Sequence, residues 1–128
     1  MSDWIWVGIE VALAAHEEQV AEHGGARGLR DRAMLESAMA RPANLVAYGA
    51  PDIADLAAAY AFGIARNHPF VDGNKRIAAV VSETFLMLNG YRLTCGDAEL
   101  VVAFLGLAAG DFTPDDLAAW FRGHIVPR

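Results

Sequence analysis

Nine consecutive residues in the middle of the chain carry most of the side chains that could do chemistry. The segment His68-Pro69-Phe70-Val71-Asp72-Gly73-Asn74-Lys75-Arg76, called the motif segment below, combines an imidazole, a carboxylate, an amide and two cations. A histidine imidazole ordinarily titrates near pH ~6.5, so His68 is suited to take up a proton at neutral pH. Asp72 could hold Mg²⁺ through one oxygen while phosphates supply others, the usual way in which magnesium is bound.

The motif segment should connect two helices. An alanine-rich apolar segment ends at Asn67, and Pro69 prevents that segment from continuing as a helix. Helical spacing then returns with Ile77, Val81, Thr84, Phe85 and Leu88. The first N–H groups of a helix lack internal partners and favour an anion, and Gly73 allows close approach to them. With the charges of Lys75 and Arg76 added, the sequence predicts a phosphate site, although for any one residue alone a capped surface loop is the simpler interpretation.

Length and composition limit the kind of protein. With 128 residues, 1–128 should form a single domain that buries about two-thirds of its unfolded surface. The composition is 55% hydrophobic and 20% charged, which is typical of a globular protein, and its many alanines favour helix. The formal net charge of -6 argues against broad nucleic-acid binding, because phosphate backbones select basic surfaces. Two adjacent cations in an acidic chain suggest a local site for a small anion.

The sequence gives no indication of a secreted or membrane protein. The single cysteine, Cys95, excludes an internal disulfide and has no His or Cys partner at zinc-binding spacing. Asp3 precedes the first apolar residues, and no basic region of a cleavable signal peptide is present. No apolar run approaches the roughly 18 residues that a membrane span needs. We therefore expect a cytoplasmic location and no membrane contact.

Two helices are predicted before the chain reaches its alanine-rich segment. The first places Ile9, Leu13, His16 and Val20 on one face and ends at Gly24-Gly25. On such a face, His16 is interpreted as a hydrogen-bonded core residue rather than as a catalyst. Asp31 caps a second helix from about Arg32 to Arg41, which Pro42 should close. The segment 42–51 is then irregular, and a flap beside a site and an ordinary connector are equally compatible with it.

The helices on either side of the motif segment have clear boundaries. Asp52 and Asp55 form a capping-box pattern at the start of the third helix. The buried stripe of that helix should consist of Ile53, Leu56, Tyr60 and Ile64. The fourth helix runs from about Asn74 to Asn89, with Gly90 at its end, and it should be central because it is apolar on more than one side.

The remaining residues predict two more helices. Asp97 should cap a fifth helix that extends to about Ala109, and Gly110 should break it. Thr113 followed by Pro114 has the residue types of a helix start. No stretch alternates convincingly as a strand, so the predicted fold is all-α, with about six helices and a motif loop that leads into a central helix.

Residues 68–76 resemble the signature of the Fic/Doc family, HPFx(D/E)GNxR, and Lys75 resembles its death-on-curing (Doc) branch. Three other stretches, 16–25, 28–31 and 37–42, are also similar to that branch. The resemblance implies the Fic/Doc fold and the toxin of a type II toxin–antitoxin system. It also implies a Phd-like antitoxin, acting in trans, as a partner.

The resemblance further implies transfer of part of a nucleoside triphosphate to a protein hydroxyl. His68 would take the proton of the attacking hydroxyl, Asp72 would bind Mg²⁺, and Phe70 would anchor the loop. The phosphate-binding residues would be Gly73, Asn74, Lys75 and Arg76. The last two would also be catalytic, because they neutralise charge on the phosphates.

Two departures from the adenylylating members indicate which phosphorus is attacked. Those members continue G-N-G-R and have a further arginine three residues later, whereas this chain has Lys75 and Ala79 at the two positions. Both changes resemble Doc proteins, in which the nucleotide is thought to lie reversed so that the γ-phosphoryl group moves. The resemblance to Doc proteins thus favours a protein kinase that uses ATP, and it implies a Ser or Thr hydroxyl of a translation factor such as elongation factor Tu as the target. An AMP transferase, and an inactive domain that binds a nucleotide or a partner, remain as alternatives.

Regulation within the chain is not indicated. Self-inhibited members of the family carry the pattern (S/T)xxxE, and no glutamate of this chain has Ser or Thr four residues before it. We therefore expect inhibition to come from another chain, the Phd-like antitoxin, whose disordered tail would fold into a groove on the toxin.

Overall fold

The computed structural model of the protein describes residues 3–96, 99–100, 103–104, 106, 110 and 112–128. Within this part of the chain the main elements are, in order, α1 (Ile9–His23), α2 (Arg32–Tyr48), α3 (Ile53–Asn67), α4 (Asn74–Leu88), β1 (Tyr91–Leu93), α5 (Pro114–Gly123) and β2 (Ile125–Pro127). The protein is mainly helical, as the sequence predicts.

The core is built around α3. This helix contacts α2, α4 and α5, and α4 in turn contacts α1 and β1. Eleven of the 15 residues of α3 are buried, and most of these are alanine or glycine, so neighbouring helices approach it closely. A Cβ atom at Gly63 would lie 3.1 Å from the Cα atom of Ala38 on α2. The motif segment is therefore held between two packed helices, α3 before it and α4 after it.

Short polar side chains fix the starts of three helices, as the sequence predicts. Asp31 accepts a hydrogen bond of 3.1 Å from the backbone N–H three residues further on. Asp52 and Asp55 form the predicted capping box at the start of α3. Thr113 caps α5, with Pro114 at its first position. Each of these caps satisfies N–H groups that have no partner within the helix.

The predicted end of the second helix at Arg41 is wrong. α2 continues through Pro42 to Tyr48, so most of the segment expected to be an irregular flap or connector is helix. Leu35, Ala38 and Pro42 are buried on one face of α2, which packs against α3. A proline inside a helix removes one hydrogen bond, and burial of this face outweighs that loss.

The expectation that no strand is present is also wrong. β1 and β2 pair antiparallel, with Tyr91 opposite Pro127, Arg92 opposite Val126 and Leu93 opposite Ile125. Each strand has three residues, which is too short for an alternating pattern to be visible in the sequence. The pairing instead depends on segments that are far apart in the chain.

The predicted fifth helix lies largely on residues outside the described part of the chain, including its expected cap, Asp97. Residues 99, 100, 103, 104 and 106 are described and are helical. Leu100 and Phe104 are buried. No helix in the described ranges combines the length and apolar content that a bilayer-spanning segment requires.

Candidate active site

His68 occupies an unusual backbone position at the end of α3. It has φ 48° and ψ 54°, and it is the one residue other than glycine with a positive φ in the described part of the chain. Its N–H donates to the carbonyl of Ile64 at 3.2 Å, which closes the last turn of the helix. The left-handed region is unfavourable for a residue with a Cβ atom, so the surrounding structure must hold His68 there.

Residues 28–31, called the clamp segment below, provide part of that support. The backbone N–H groups of Arg30 and Asp31 donate to the carbonyl of Pro69 at 2.7 and 3.0 Å. The N–H of Val71 donates to the carbonyl of Gly28 at 3.1 Å. The two segments also form an isolated antiparallel bridge. The backbone just after His68 is thereby fixed to a segment that precedes α2.

Asn74 braces the motif segment from inside. Its side chain is buried, its Oδ1 accepts from the N–H of Phe70 at 2.9 Å, and its Nδ2 donates to the carbonyl of Phe70 at 3.0 Å. The same Nδ2 lies 3.5 Å from Nδ1 of His68. The amide is thus engaged with the loop backbone, and the predicted phosphate contact of Asn74 would have to come from its backbone N–H.

α1 supports the motif segment from the opposite side. Phe70 is 1% exposed, and its ring stacks on His16 with centroids 4.2 Å apart. Nε2 of His16 lies 3.0 Å from the carbonyl oxygen of Asp72. Because a carbonyl only accepts, Nε2 carries the proton. The prediction that His16 is a hydrogen-bonded core residue is confirmed, and the structure adds that this hydrogen bond fixes the motif segment.

The start of α4 faces open space. Gly73 has φ 79° and caps the helix, and among the described residues, apart from its two chain neighbours, no group lies within 4 Å of the place where a Cβ atom would be. The N–H of Gly73 donates to Oδ1 of Asp72 at 2.8 Å. Lys75 and Arg76 are exposed, and Nη1 of Arg76 donates to Oε1 of Gln19 on α1 at 3.4 Å. Exposed cations beside the N-terminus of a helix form an arrangement that suits a phosphate.

A cleft of about 820 Å³ brings the predicted site residues together. His68, Asp72, Gly73, Asn74, Lys75 and Arg76 all line it. From there it continues along one face of α4, past Ala79, Val80, Glu83 and Thr84, to Leu100 and Phe104. Phe70 is the remaining predicted site residue, and it is buried beneath the motif segment. The cleft therefore has one cationic end and one end that is mostly apolar.

The carboxylate of Asp72 suits magnesium that is shared with a phosphate. No group of three or more His, Cys, Asp or Glu side chains in the described residues could hold a metal ion by itself. Asp72 is exposed at the cationic end of the cleft, where phosphates would lie. One carboxylate together with phosphate oxygens and water is a usual coordination of Mg²⁺.

Comparison with known proteins identifies the family. The model of the family described as "Fic/DOC family" matches residues 6–86. The chain belongs to the Fic/DOC family. Among curated proteins, it is similar to "Toxin Doc" of Mycolicibacterium smegmatis (strain ATCC 700084 / mc(2)155). The two are 47% identical over 108 residues, which cover 80% of this chain and 82% of the relative.

Sequence reasoning missed two contributors to this Fic/DOC site. Arg30 donates side-chain hydrogen bonds to backbone carbonyls at the end of α3, and Gln19 accepts one from Arg76. The stretch 28–31 carries two signals in the sequence, its resemblance to the Doc branch and the cap residue Asp31, and neither assigns a role to Arg30. Nothing in its local spacing shows that it contacts the motif segment. Gln19 carries no such signal, because it lies on an amphipathic helix among other polar residues.

Proposed function

We propose that this Fic/DOC protein is a Doc-type toxin that transfers the γ-phosphoryl group of ATP to a Ser or Thr hydroxyl of an elongation factor Tu-like translation factor. The similarity to a protein named Toxin Doc supports the toxin role. The exposed His68 beside the cationic N-terminus of α4 supports a group transfer that needs both a base and a phosphate site.

In this reaction His68 takes the proton of the attacking hydroxyl, and the hydroxyl oxygen forms a bond to the γ-phosphorus. The bond between that phosphorus and the β,γ-bridging oxygen breaks, and ADP leaves. Lys75, Arg76 and the N–H groups at the start of α4 stabilise the charge on the transferred group. Asp72 would hold Mg²⁺, which supplies further neutralisation of the phosphate oxygens.

The residues that line the cleft beyond Arg76, called the apolar floor below, support transfer of the γ-phosphoryl group rather than transfer of AMP. There Ala79 and Val80 lie on α4, and Leu100 and Phe104 line the same cleft. Apolar side chains suit a base and ribose better than they suit phosphates, which need cations or N–H donors. With the nucleoside over this floor, the triphosphate extends towards the motif segment and places its γ-phosphorus near His68. An adenylylating enzyme would instead need a phosphate clamp near Ala79, where the described residues provide no arginine.

The antitoxin is proposed from the same family relation. The chain lacks the (S/T)xxxE pattern of self-inhibited members, so a separate Phd-like protein would inhibit it. Such a partner explains how a cell could tolerate an open cleft with an exposed base.

The test uses ATP that is labelled in separate reactions on the γ- and the α-phosphate, with elongation factor Tu and with a whole lysate. Label from the γ-position only, lost in His68→Ala, is the expected result. Label from the α-position would show an AMP transferase instead. Binding of ATP without transfer of either label would show a domain that only binds its nucleotide, and would contradict the proposal.

A further inference from the structure

We propose that Arg30 is a positioning residue that holds His68 in the conformation required for proton transfer. The inference deepens the proposed function and rests on it, because His68 is the base of that reaction. Arg30 lies outside the motif segment, 38 residues before His68.

The side chain of Arg30 contacts two successive carbonyl groups at the end of α3. Its Nε donates to the carbonyl of His68 at 2.7 Å, and its Nη2 donates to the carbonyl of Asn67 at 2.9 Å. Both distances lie within the usual range of N–H···O hydrogen bonds, the first at its short end, and both donors belong to one planar, charged group. The direction of two adjacent peptide groups is therefore fixed by one side chain.

These two carbonyls need an outside partner. The last carbonyls of a helix have no N–H partner within it, and the helix macrodipole places partial negative charge there. Helices that end in the left-handed conformation usually have glycine at that position, whereas this helix ends with His68 at φ 48°. The guanidinium of Arg30 satisfies the carbonyls and offsets part of the conformational cost, so a histidine can occupy a position that favours glycine.

Arg30 contacts the segment that carries His68, and it does not contribute to the phosphate site. Arg30 is not among the residues that line the cleft in the described part of the chain, and its two partners are at the end of α3. The phosphate site instead consists of the N-terminus of α4 with Lys75 and Arg76. Loss of the Arg30 side chain should therefore misplace His68 without removing any group that binds ATP.

Arg30→Met should also leave the fold in place. The backbone hydrogen bonds from the clamp segment to the carbonyl of Pro69 do not involve the side chain of Arg30. Arg27→Met is a matched control. Arg27 lies three residues earlier, its side chain is 72% exposed, and its nearest acidic partner, Glu17, is 4.0 Å away.

The kinetic test compares wild type, Arg30→Met, Arg30→Lys and Arg27→Met in single-turnover transfer and in ATP binding. We expect the transfer rate of Arg30→Met to fall by about 10²-fold, the effect of misplacing a reacting group by about 1 Å, while its Kd for ATP stays unchanged. Arg30→Lys should recover part of the rate, because a lysine can donate to one carbonyl but lacks the planar fork. Arg27→Met should match the wild type in both measurements. A wild-type rate in Arg30→Met, or a loss of rate matched by an equal loss of ATP affinity, would overturn the inference.

A second measurement is independent of activity. The protein has four histidines, so the ring signals of His68 can be assigned in NMR spectra by comparison with His68→Ala. We expect these signals to move in Arg30→Met and to stay in place in Arg27→Met. If the wild type transfers no label, the proposed function fails, and the NMR comparison still decides the role of Arg30. Unchanged His68 signals in Arg30→Met would refute it.

Discussion

Replacing Asn74 by alanine should destabilise the protein through the backbone of Phe70. The side-chain amide of Asn74 satisfies both the N–H and the carbonyl of Phe70, at 2.9 and 3.0 Å, in a buried position. Each buried polar group that loses its partner costs about 1–3 kcal/mol, so the two together should cost about 2–4 kcal/mol after partial relaxation. For a chain of this size that corresponds to a fall in Tm of about 10 °C.

Urea unfolding and thermal unfolding measure this cost directly. Asn74→Asp is an informative companion variant, because its carboxylate can still accept from the N–H of Phe70 but cannot donate to the carbonyl. Asn74→Asp should be unstable for a different reason, because its carboxylate and the carbonyl oxygen of Phe70 are both acceptors and repel each other. Asn44→Ala, on the exposed surface of α2, is the control and should lie within about 0.5 kcal/mol of the wild type. If Asn74→Ala also stays within about 0.5 kcal/mol, the reasoning that this amide braces the loop is refuted.

Three further predictions concern other parts of the molecule. Arg122 donates two hydrogen bonds to Asp52 and lowers the pKa of its carboxyl from 3.8 to about 2. The folded carboxylate therefore binds its proton more weakly than the unfolded one, and its contribution, present above pH ~4, is lost as the pH falls towards ~2. Because both side chains are about half exposed, the contribution is about 1 kcal/mol or less, and urea unfolding of wild type and Asp52→Asn across that range should show it disappear. Gly63→Ala should destabilise the protein by about 1 kcal/mol, measured by thermal unfolding, because overpacking against Ala38 outweighs the gain in helix propensity. A stabilised variant would contradict the close approach of α2 and α3. Ala79→Arg should lower the rate of γ-phosphoryl transfer at least about tenfold, equivalent to about 1.4 kcal/mol, because it places a cation on the apolar floor. An unchanged rate in the label assay would contradict the placement of the nucleoside there.

The parts of the fold that depend on nearby residues were predictable. Asp31, Asp52 and Thr113 each cap a helix through a backbone group only a few residues away, so the sequence shows these helix starts. The end of α2 was not predictable in this way. Pro42 has a local tendency to stop a helix, and only the packing of its face against α3 shows why the helix continues. The β1–β2 pairing joins residues more than 30 positions apart and has no local pattern at all.

The candidate site likewise combines residues that are near one another in the sequence with contacts between distant residues. Six predicted residues line one cleft because they are neighbours in the sequence and share one turn and one helix start. The spacing of residues in the sequence does not show which other residues hold these six in place. Arg30 reaches His68 over 38 residues, and His16 reaches Asp72 over 56 residues. Such contacts are created by the packing of α1, α3 and α4, which the sequence pattern does not define.

These supporting contacts join residues that are far apart in the chain, and this has a consequence for folding. Helices form locally within about a microsecond, whereas contacts between residues far apart in the chain require loops to close first. The turn at His68 needs both the clamp segment and α1 in place, so a chain with its helices formed but not yet packed has no ordered motif segment. During refolding from urea we therefore expect far-ultraviolet circular dichroism to recover before transfer activity. A newly made chain would then become active only as its packing is completed.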